Sequence, residues 1–351
     1  MQRGEKKRQL HIDLLRILAC LSVILLHTAA QYWYELPITG TRWLVCNAYD
    51  AVSRFGVPIF VMISGTLFLS REGQIPIAKL YKNNILRMFV AYWAWSIFYG
   101  IWDCREWIGM PGVTWKVYLS EVFYSRYHLW FLPMIIGIYM LLPVLKVFVD
   151  HASQQLLQYV LVIFLVLQVG ANTLVILNPP QIIQNLLYLV DVEMICSYVA
   201  YFILGYYLCR YPVSDRQEKA LYLLGVLGAG CAVVVSTWAS FRNGGPSAAA
   251  YDSFSLFTFL VSVAIFVFFQ KRVSVSMGEG NNRLIGELSA NTFGVYLVHL
   301  WVLEYLQMEG FDSMTLNNII GIPLLTLVCF LICNVIVTVL RRIPVVGRYV
   351  C

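Results

Sequence analysis

Asp13, Arg16, His27, His128 and His299 can carry charge and lie inside long apolar stretches of this sequence. The first stretch holds Asp13, Arg16 and His27, His128 opens a second, and His299 lies just past the middle of a third. An ionisable side chain surrounded by hydrocarbon is costly, so each needs a partner or a chemical task. Arg16 and His27 are 11 residues apart, a helical rise of about 16 Å and three turns plus about 20°. They therefore project from one face at two depths. Asp13 and Arg16, at i and i+3, can pair; snorkelling of Arg16 to an interface is the ordinary alternative. A neutral imidazole can take a proton from a hydroxyl near neutral pH without a permanent buried charge. His27, His128 and His299, at similar depth on different helices, would suit proton transfer around a polar cavity. Taken alone, a buried histidine is more often a hydrogen-bonded core residue than a catalyst. His11 and His151 fall at the ends of apolar runs and read as interfacial.

The elements that must hold these residues follow from composition. The chain has 351 residues, 60% hydrophobic and 13% charged, with a mean hydropathy of +0.70. A soluble domain is nearer half apolar and a quarter charged. The imbalance excludes secreted, cytosolic and nucleic-acid-binding classes. Apolar segments near 20 residues, each able to cross about 30 Å of hydrocarbon, recur at 12–33, 54–69, 85–103, 127–149 and 156–177. They continue at 194–211, 220–240, 253–270, 284–306 and 319–340. Backbone groups in lipid must bond within their own segment, so each is read as a helix. The expectation is one all-α, multi-pass domain over residues 1–351, with about ten transmembrane helices in a cell membrane.

Ten spans put both termini on one side. Seventeen of the 25 Lys and Arg fall on that side, Arg3, Lys6, Lys7 and Arg8 among them, against five on the other. Basic residues collect in cytoplasmic loops, so both termini are expected in the cytoplasm. Arg16 breaks the start of the first span and Thr28-Ala29-Ala30 is a poor cleavage site, so the segment reads as an uncleaved anchor. The nine cysteines show no metal-ligand spacing. A Cys46–Cys104 disulfide stays open, and no metal site is expected.

Arg71, Lys79, Lys82 and Arg87 crowd the loop and helix entry after the second span. They could dock the phosphates of a donor, and the bias of basic residues toward the cytoplasm explains them equally well. Gly278-Glu279-Gly280 leads into Asn-Asn-Arg with no following Lys-Ser/Thr, so no phosphate-binding glycine loop is present.

Four ordered motifs resemble a known family, the acyltransferase-3 integral membrane acyltransferases. Ile12-Asp13-Leu14-Leu15-Arg16 followed by His27 resembles its first-helix signature of Arg, ten residues, then His. Arg54 through Val57-Pro58-Ile59-Phe60 to Ser64-Gly65 looks like its second-helix pattern. His128-Leu129-Trp130-Phe131-Leu132, with Tyr139 and Pro143, is similar to its His-Leu-Trp-Phe-Leu segment. Ser289 through Tyr296-Leu297-Val298-His299 resembles its late helix. Many members carry Arg-x-x-Arg near the third helix. Here Asn84-Ile85-Leu86-Arg87 keeps only the second Arg, and Lys82 could compensate.

The resemblance implies transfer of an acyl group, usually acetyl from acetyl-CoA, across the membrane to a hydroxyl on an extracytoplasmic glycan or envelope acceptor. It makes His27 the expected base, deprotonating the acceptor hydroxyl directly or carrying the acyl group transiently, with His299 and His128 orienting the acceptor or shuttling protons. Arg16, with Asp13, would organise the polar face of the first helix. Arg87, Lys82, Lys79 and Arg71 would hold acyl-CoA. A nucleophilic Ser64 is not expected, because a membrane-helix hydroxyl ordinarily bonds its own backbone. The competing readings are a transporter or exporter of a small polar solute such as serine, or of polysaccharide, and a non-catalytic scaffold.

Overall fold

The computed structural model describes residues 10–107, 110, 114–184, 192–273 and 279–351, and these residues form helices with no strand among them. In chain order the helices are α1 (Leu10–Ala30), α2 (Thr41–Ser53), α3 (Gly56–Leu69), α4 (Ile77–Asp103), α5 (Trp115–Tyr124) and α6 (Phe131–His151). They continue as α7 (Gln154–Ile176), α8 (Val192–Arg210), α9 (Asp215–Asn243), α10 (Leu256–Arg272), α11 (Glu279–Met308), α12 (Asn318–Leu340) and α13 (Pro344–Tyr349). Eight helical stretches among the described residues are long and apolar enough to cross a membrane. The expected spans 194–211 and 284–306 are also helical, as α8 and α11, and are not among those eight. Arg3, Lys6, Lys7, Arg8 and Gly278 lie outside the described residues.

The second span departs from expectation. It does not start at Arg54 but is the second half of a longer helical stretch, Thr41–Leu69, broken by a turn at Arg54 and Phe55. Apolar periodicity misses α2 because its buried face carries Asn47, Asp50 and Ser53. The structure satisfies that face locally. Asn47 Nδ2 donates to Ser236 Oγ (2.9 Å) and Thr237 Oγ1 (3.0 Å), and Asp50 pairs with Arg54 at 2.5 Å.

The chain packs as two compact units. The first runs to Ser70 and resumes over Ala152–Asn334. Within it α1 packs against α2, α3, α10 and α11, α9 packs against α10, and α3 against α8. Two glycines bring α3 and α8 into backbone contact. A Cβ on Gly65 would lie 1.8 Å from Phe202 O, and one on Gly205 would lie 2.1 Å from Met62 O. The sites are reciprocal, and small residues of this kind are what lets membrane helices close up. A core of Trp33, Trp43, Ala29, Cys46, Tyr251 and Ile322 fills one end of this unit. There Trp43 Nε1 donates to Trp33 O at 3.1 Å. At the opposite end of α9 and α10, Glu218 accepts from Arg272 (2.5 Å) and Lys271 (2.9 Å).

The second unit comprises Arg71–His151 and Val335–Cys351. Its long helix α4 carries a π-helical turn at Tyr81–Ile85. Such turns add a residue to the helical repeat and are frequent near functional sites. α5 and α6 both pack against α4, and so does the short α13. The eight described cysteines are free thiols, Cys46 and Cys104 included, so the open disulfide is not formed.

Candidate active site

Helices α1 and α11 meet through three contacts of nearly constant sequence offset. Ser289 Oγ donates to Asp13 Oδ1 at 2.6 Å, Cys20 Sγ reaches Thr292 O at 3.8 Å, and the rings of His27 and His299 stand 5.2 Å apart between centroids. A constant offset means the two helices run parallel, so residues that rise together along one meet residues that rise together along the other. Past the histidines the helix ends are tied again. Tyr32 Oη donates to Asp312 Oδ2 at 2.7 Å, Gln307 Nε2 donates to Tyr32 Oη at 3.1 Å, and the Ser313 amide donates to Gln31 Oε1 at 3.0 Å. The histidine pair is thus held between two polar clamps that fix the register of α1 against α11.

Within the pair, His299 is fully buried and His27 is half-buried. His299 Nδ1 lies 2.6 Å from Tyr296 O. A carbonyl oxygen only accepts, so Nδ1 carries a ring proton. Cys329 Sγ closes the far side of the same turn, 3.6 Å from His299 O, with Cys333 Sγ 3.8 Å beyond it. Asp13 is buried, and its carboxylate is held by Ser289, which sequence spacing did not single out as its partner. Arg16 is half-buried on α1.

His128 is placed in the second unit, on a 3-10 turn, Tyr127–Trp130, that opens into α6. Its buried ring meets the edge of Tyr99 at 5.1 Å between centroids and 84°. Arg126 fixes the turn. Its Nε donates to Asp103 Oδ2 at 2.8 Å, its Nη2 bonds the other carboxylate oxygen, and its guanidinium lies 5.5 Å from the Tyr99 ring centre. A bidentate arginine–carboxylate pair is the best-defined geometry available to a clamp. Beside it Ser125, at φ 57°, shares a 2.8 Å hydrogen bond with Ser96. Tyr99, Asp103 and Arg126 went unread in the sequence because they sit at span ends, where aromatic and charged residues are ordinary.

The basic residues also belong to the second unit. Arg71, Lys79 and Lys82 are exposed, Lys82 within the π-helical turn, and Arg87 is half-buried one turn further on. Arg87 Nη2 donates to Cys351 O at 2.5 Å. Among the described residues no three His, Cys, Asp or Glu side chains gather as metal ligands.

The acyltransferase domain family matches residues 10–339. The chain belongs to the acyltransferase-3 family. No curated protein and no solved structure matches it. The match covers both units and all four motifs read from the sequence. In this acyltransferase-3 chain Arg16 and His27 share one helix, and the late Tyr-Leu-x-His motif delivers His299 to His27. Ser64 Oγ donates to Phe60 O at 2.9 Å, an ordinary backbone bond of a helix hydroxyl. Gly65 explains the second motif by helix contact.

Proposed function

We propose that the protein is a membrane O-acyltransferase that moves an acyl group, acetyl in the simplest case, from cytoplasmic acyl-CoA to a hydroxyl of an extracytoplasmic glycan or cell-envelope acceptor. The observation that carries the reading is the contact of His27 with His299 inside an acyltransferase of apolar helices. His27, half-buried, is the general base. It takes the proton of the acceptor hydroxyl as the oxygen attacks the thioester carbonyl. The carbon–sulfur bond then breaks, and the departing CoA sulfur recovers that proton. His299 stands against the base as a neutral imidazole and orients it. Asp13 holds α1 on α11, and Arg16 supports the polar arm of the donor. His128, on its clamped turn, orients the acceptor.

Arg71, Lys79, Lys82 and Arg87 supply cations for the donor phosphates, with Arg87 the best suited because a half-buried guanidinium meets phosphate as a fork in reduced solvent. Ten spans with both termini in the cytoplasm complete the reading and bring this basic surface to the donor's side.

The test uses purified protein in nanodiscs. CoA is expected to raise the melting temperature, and Arg87→Ala to reduce that rise. Absence of CoA binding by the wild type sinks the donor assignment. Solute counterflow in liposomes without CoA would favour the exporter reading instead.

A further inference from the structure

Helices α9 and α10 pack most closely where Gly225 meets Ala264; a Cβ on Gly225 would lie 2.4 Å from Ala264 Cβ. The residues around that contact are unequal in size. Gly225, Ala229 and Ala264 carry one side-chain carbon or none, and Tyr222, Val226 and Phe268 stand beside them. A groove of about 310 Å³ is left between the two helices, and Tyr222 is the one polar side chain among the described residues that line it. Val226 is 72% exposed, so the groove opens on the surface of two helices long and apolar enough to cross a membrane.

One turn beyond Tyr222 and Phe268 the same two helix faces carry Lys219 and Arg272, because residues three and four apart share a face. Arg272 is held in place there. Its Nε donates to Glu218 Oε1 at 2.5 Å, Tyr222 Oη donates to the same oxygen at 2.9 Å, and Lys271 pairs with the other oxygen at 2.9 Å. Glu218 is fully buried under these partners, whereas the Arg272 side chain is 56% exposed. A guanidinium has several N–H donors, so Nε on Glu218 leaves terminal ones to face outward. Lys219 is exposed and makes no hydrogen bond or ion pair among the described residues. This end of the groove keeps a positive surplus. Asp215 and Glu218 are matched by Lys271 and Arg272, and Arg216 and Lys219 are left over.

We propose that the groove binds one anionic phospholipid of the adjoining leaflet, with an acyl chain between α9 and α10 and the phosphate on Arg272 and Lys219. The proposal does not depend on the acyl-transfer reading. Its dimensions agree: Tyr222 to Ala229 is a helical rise of about 10 Å, most of the about 15 Å that one leaflet's hydrocarbon spans. Its chemistry agrees as well. A held guanidinium and an exposed ammonium suit a phosphate diester, and they stand just beyond an aromatic hydroxyl, at the level where headgroups lie. A zwitterionic headgroup brings a cation of its own, which the surplus at Arg216 and Lys219 repels; an anionic one does not.

The test uses the full chain in an uncharged detergent, with phosphatidylglycerol or phosphatidylcholine added. Bound lipid is read by native mass spectrometry and stability by melting curves. One phosphatidylglycerol is expected to bind several-fold more tightly than phosphatidylcholine and to raise the melting temperature. Lys219→Gln is expected to weaken phosphatidylglycerol about fivefold, the usual contribution of one basic residue near an anionic surface. Arg272→Lys, which keeps a cation on Glu218 and loses the fork, is expected to weaken it too. Ala229→Phe, which fills the groove, is expected to weaken both lipids. Equal affinity for the two lipids, or phosphatidylglycerol binding unchanged in Lys219→Gln and Arg272→Lys, overturns the headgroup site. Binding unchanged in Ala229→Phe overturns the groove. Equal stabilisation by glycerol phosphate, which has no acyl chain, overturns lipid as the occupant, and a wild-type dimer that Ala229→Phe dissociates gives the face to a second copy. Melting curves without lipid identify any variant that fails to fold, and Lys219→Gln, at an exposed residue, then decides.

Discussion

The imidazole rings of His27 and His299, 272 positions apart in sequence, lie 5.2 Å apart between centroids and tilted by 36°. Their helices run parallel and are clamped on both sides of the pair by Asp13–Ser289 and Tyr32–Asp312. In the proposed mechanism the pair acts as one preorganised group. His27→Ala is expected to lower acyl transfer by about 10²- to 10⁴-fold, the usual contribution of a general base, with CoA binding retained. His299→Ala is expected to lower it less, and the double variant to be no slower than His27→Ala alone. Multiplying losses in the double variant would show two independent groups and remove the pair from the mechanism.

The lower clamp makes a stability prediction. Ser289→Ala removes a hydrogen bond to a buried carboxylate, a loss of about 1–3 kcal/mol. A fall in melting temperature, together with a larger fall in transfer than in CoA affinity, is expected because α1 loses register against α11. Equal melting curves for Ser289→Ala and wild type would show that the clamp holds nothing.

The α3–α8 contact makes another. Gly65→Ala places a methyl group 1.8 Å from Phe202 O, a backbone atom that cannot swing away. Gly205→Ala does the same to Met62 O. Each is expected to cost about 1–3 kcal/mol or more through overpacking. Gly230→Ala, whose Cβ would meet nothing within 4 Å, serves as the control. It is expected to leave stability within about 0.5 kcal/mol of wild type.

Acid sensitivity at the Tyr32–Asp312 clamp has a definite sign. Burial pushes the Asp312 carboxyl up, but hydrogen bonds from Tyr32, Met314 and Thr315 outweigh it and hold the group below the usual carboxylate range. A folded pKa below the unfolded one contributes stability above the unfolded value, about 3.9, and loses it as pH falls through the folded value. Melting temperature is therefore expected to drop more steeply below about pH 4 in wild type than in Asp312→Asn. Parallel pH curves for the two proteins would contradict this.

Several candidate residues are legible in the sequence alone. Arg16, His27, His128 and His299 stand out because lipid tolerates few ionisable side chains, and position in an apolar run is a one-dimensional property. Helical period alone puts Arg16 and His27 on one face. α2 was illegible for the opposite reason. Its buried face is polar and is satisfied by Ser236, Thr237 and Arg54, partners that hydropathy cannot supply.

The sequence by itself determined an all-helical, membrane-spanning character, the family, and which ionisable residues required explanation. All of these depend on local composition, on spacing within one helix, or on ordered motifs. Only the tertiary structure decided partners. It gave His27 to His299, Asp13 to Ser289, and Arg87 to Cys351. Each pairing joins residues more than 250 positions apart, and it is set by which helix faces close against each other. That choice depends on backbone approach at residues such as Gly65, Gly205 and Gly347. Side-chain packing between helices is a property of two surfaces at once, and no run of residues along one chain contains it.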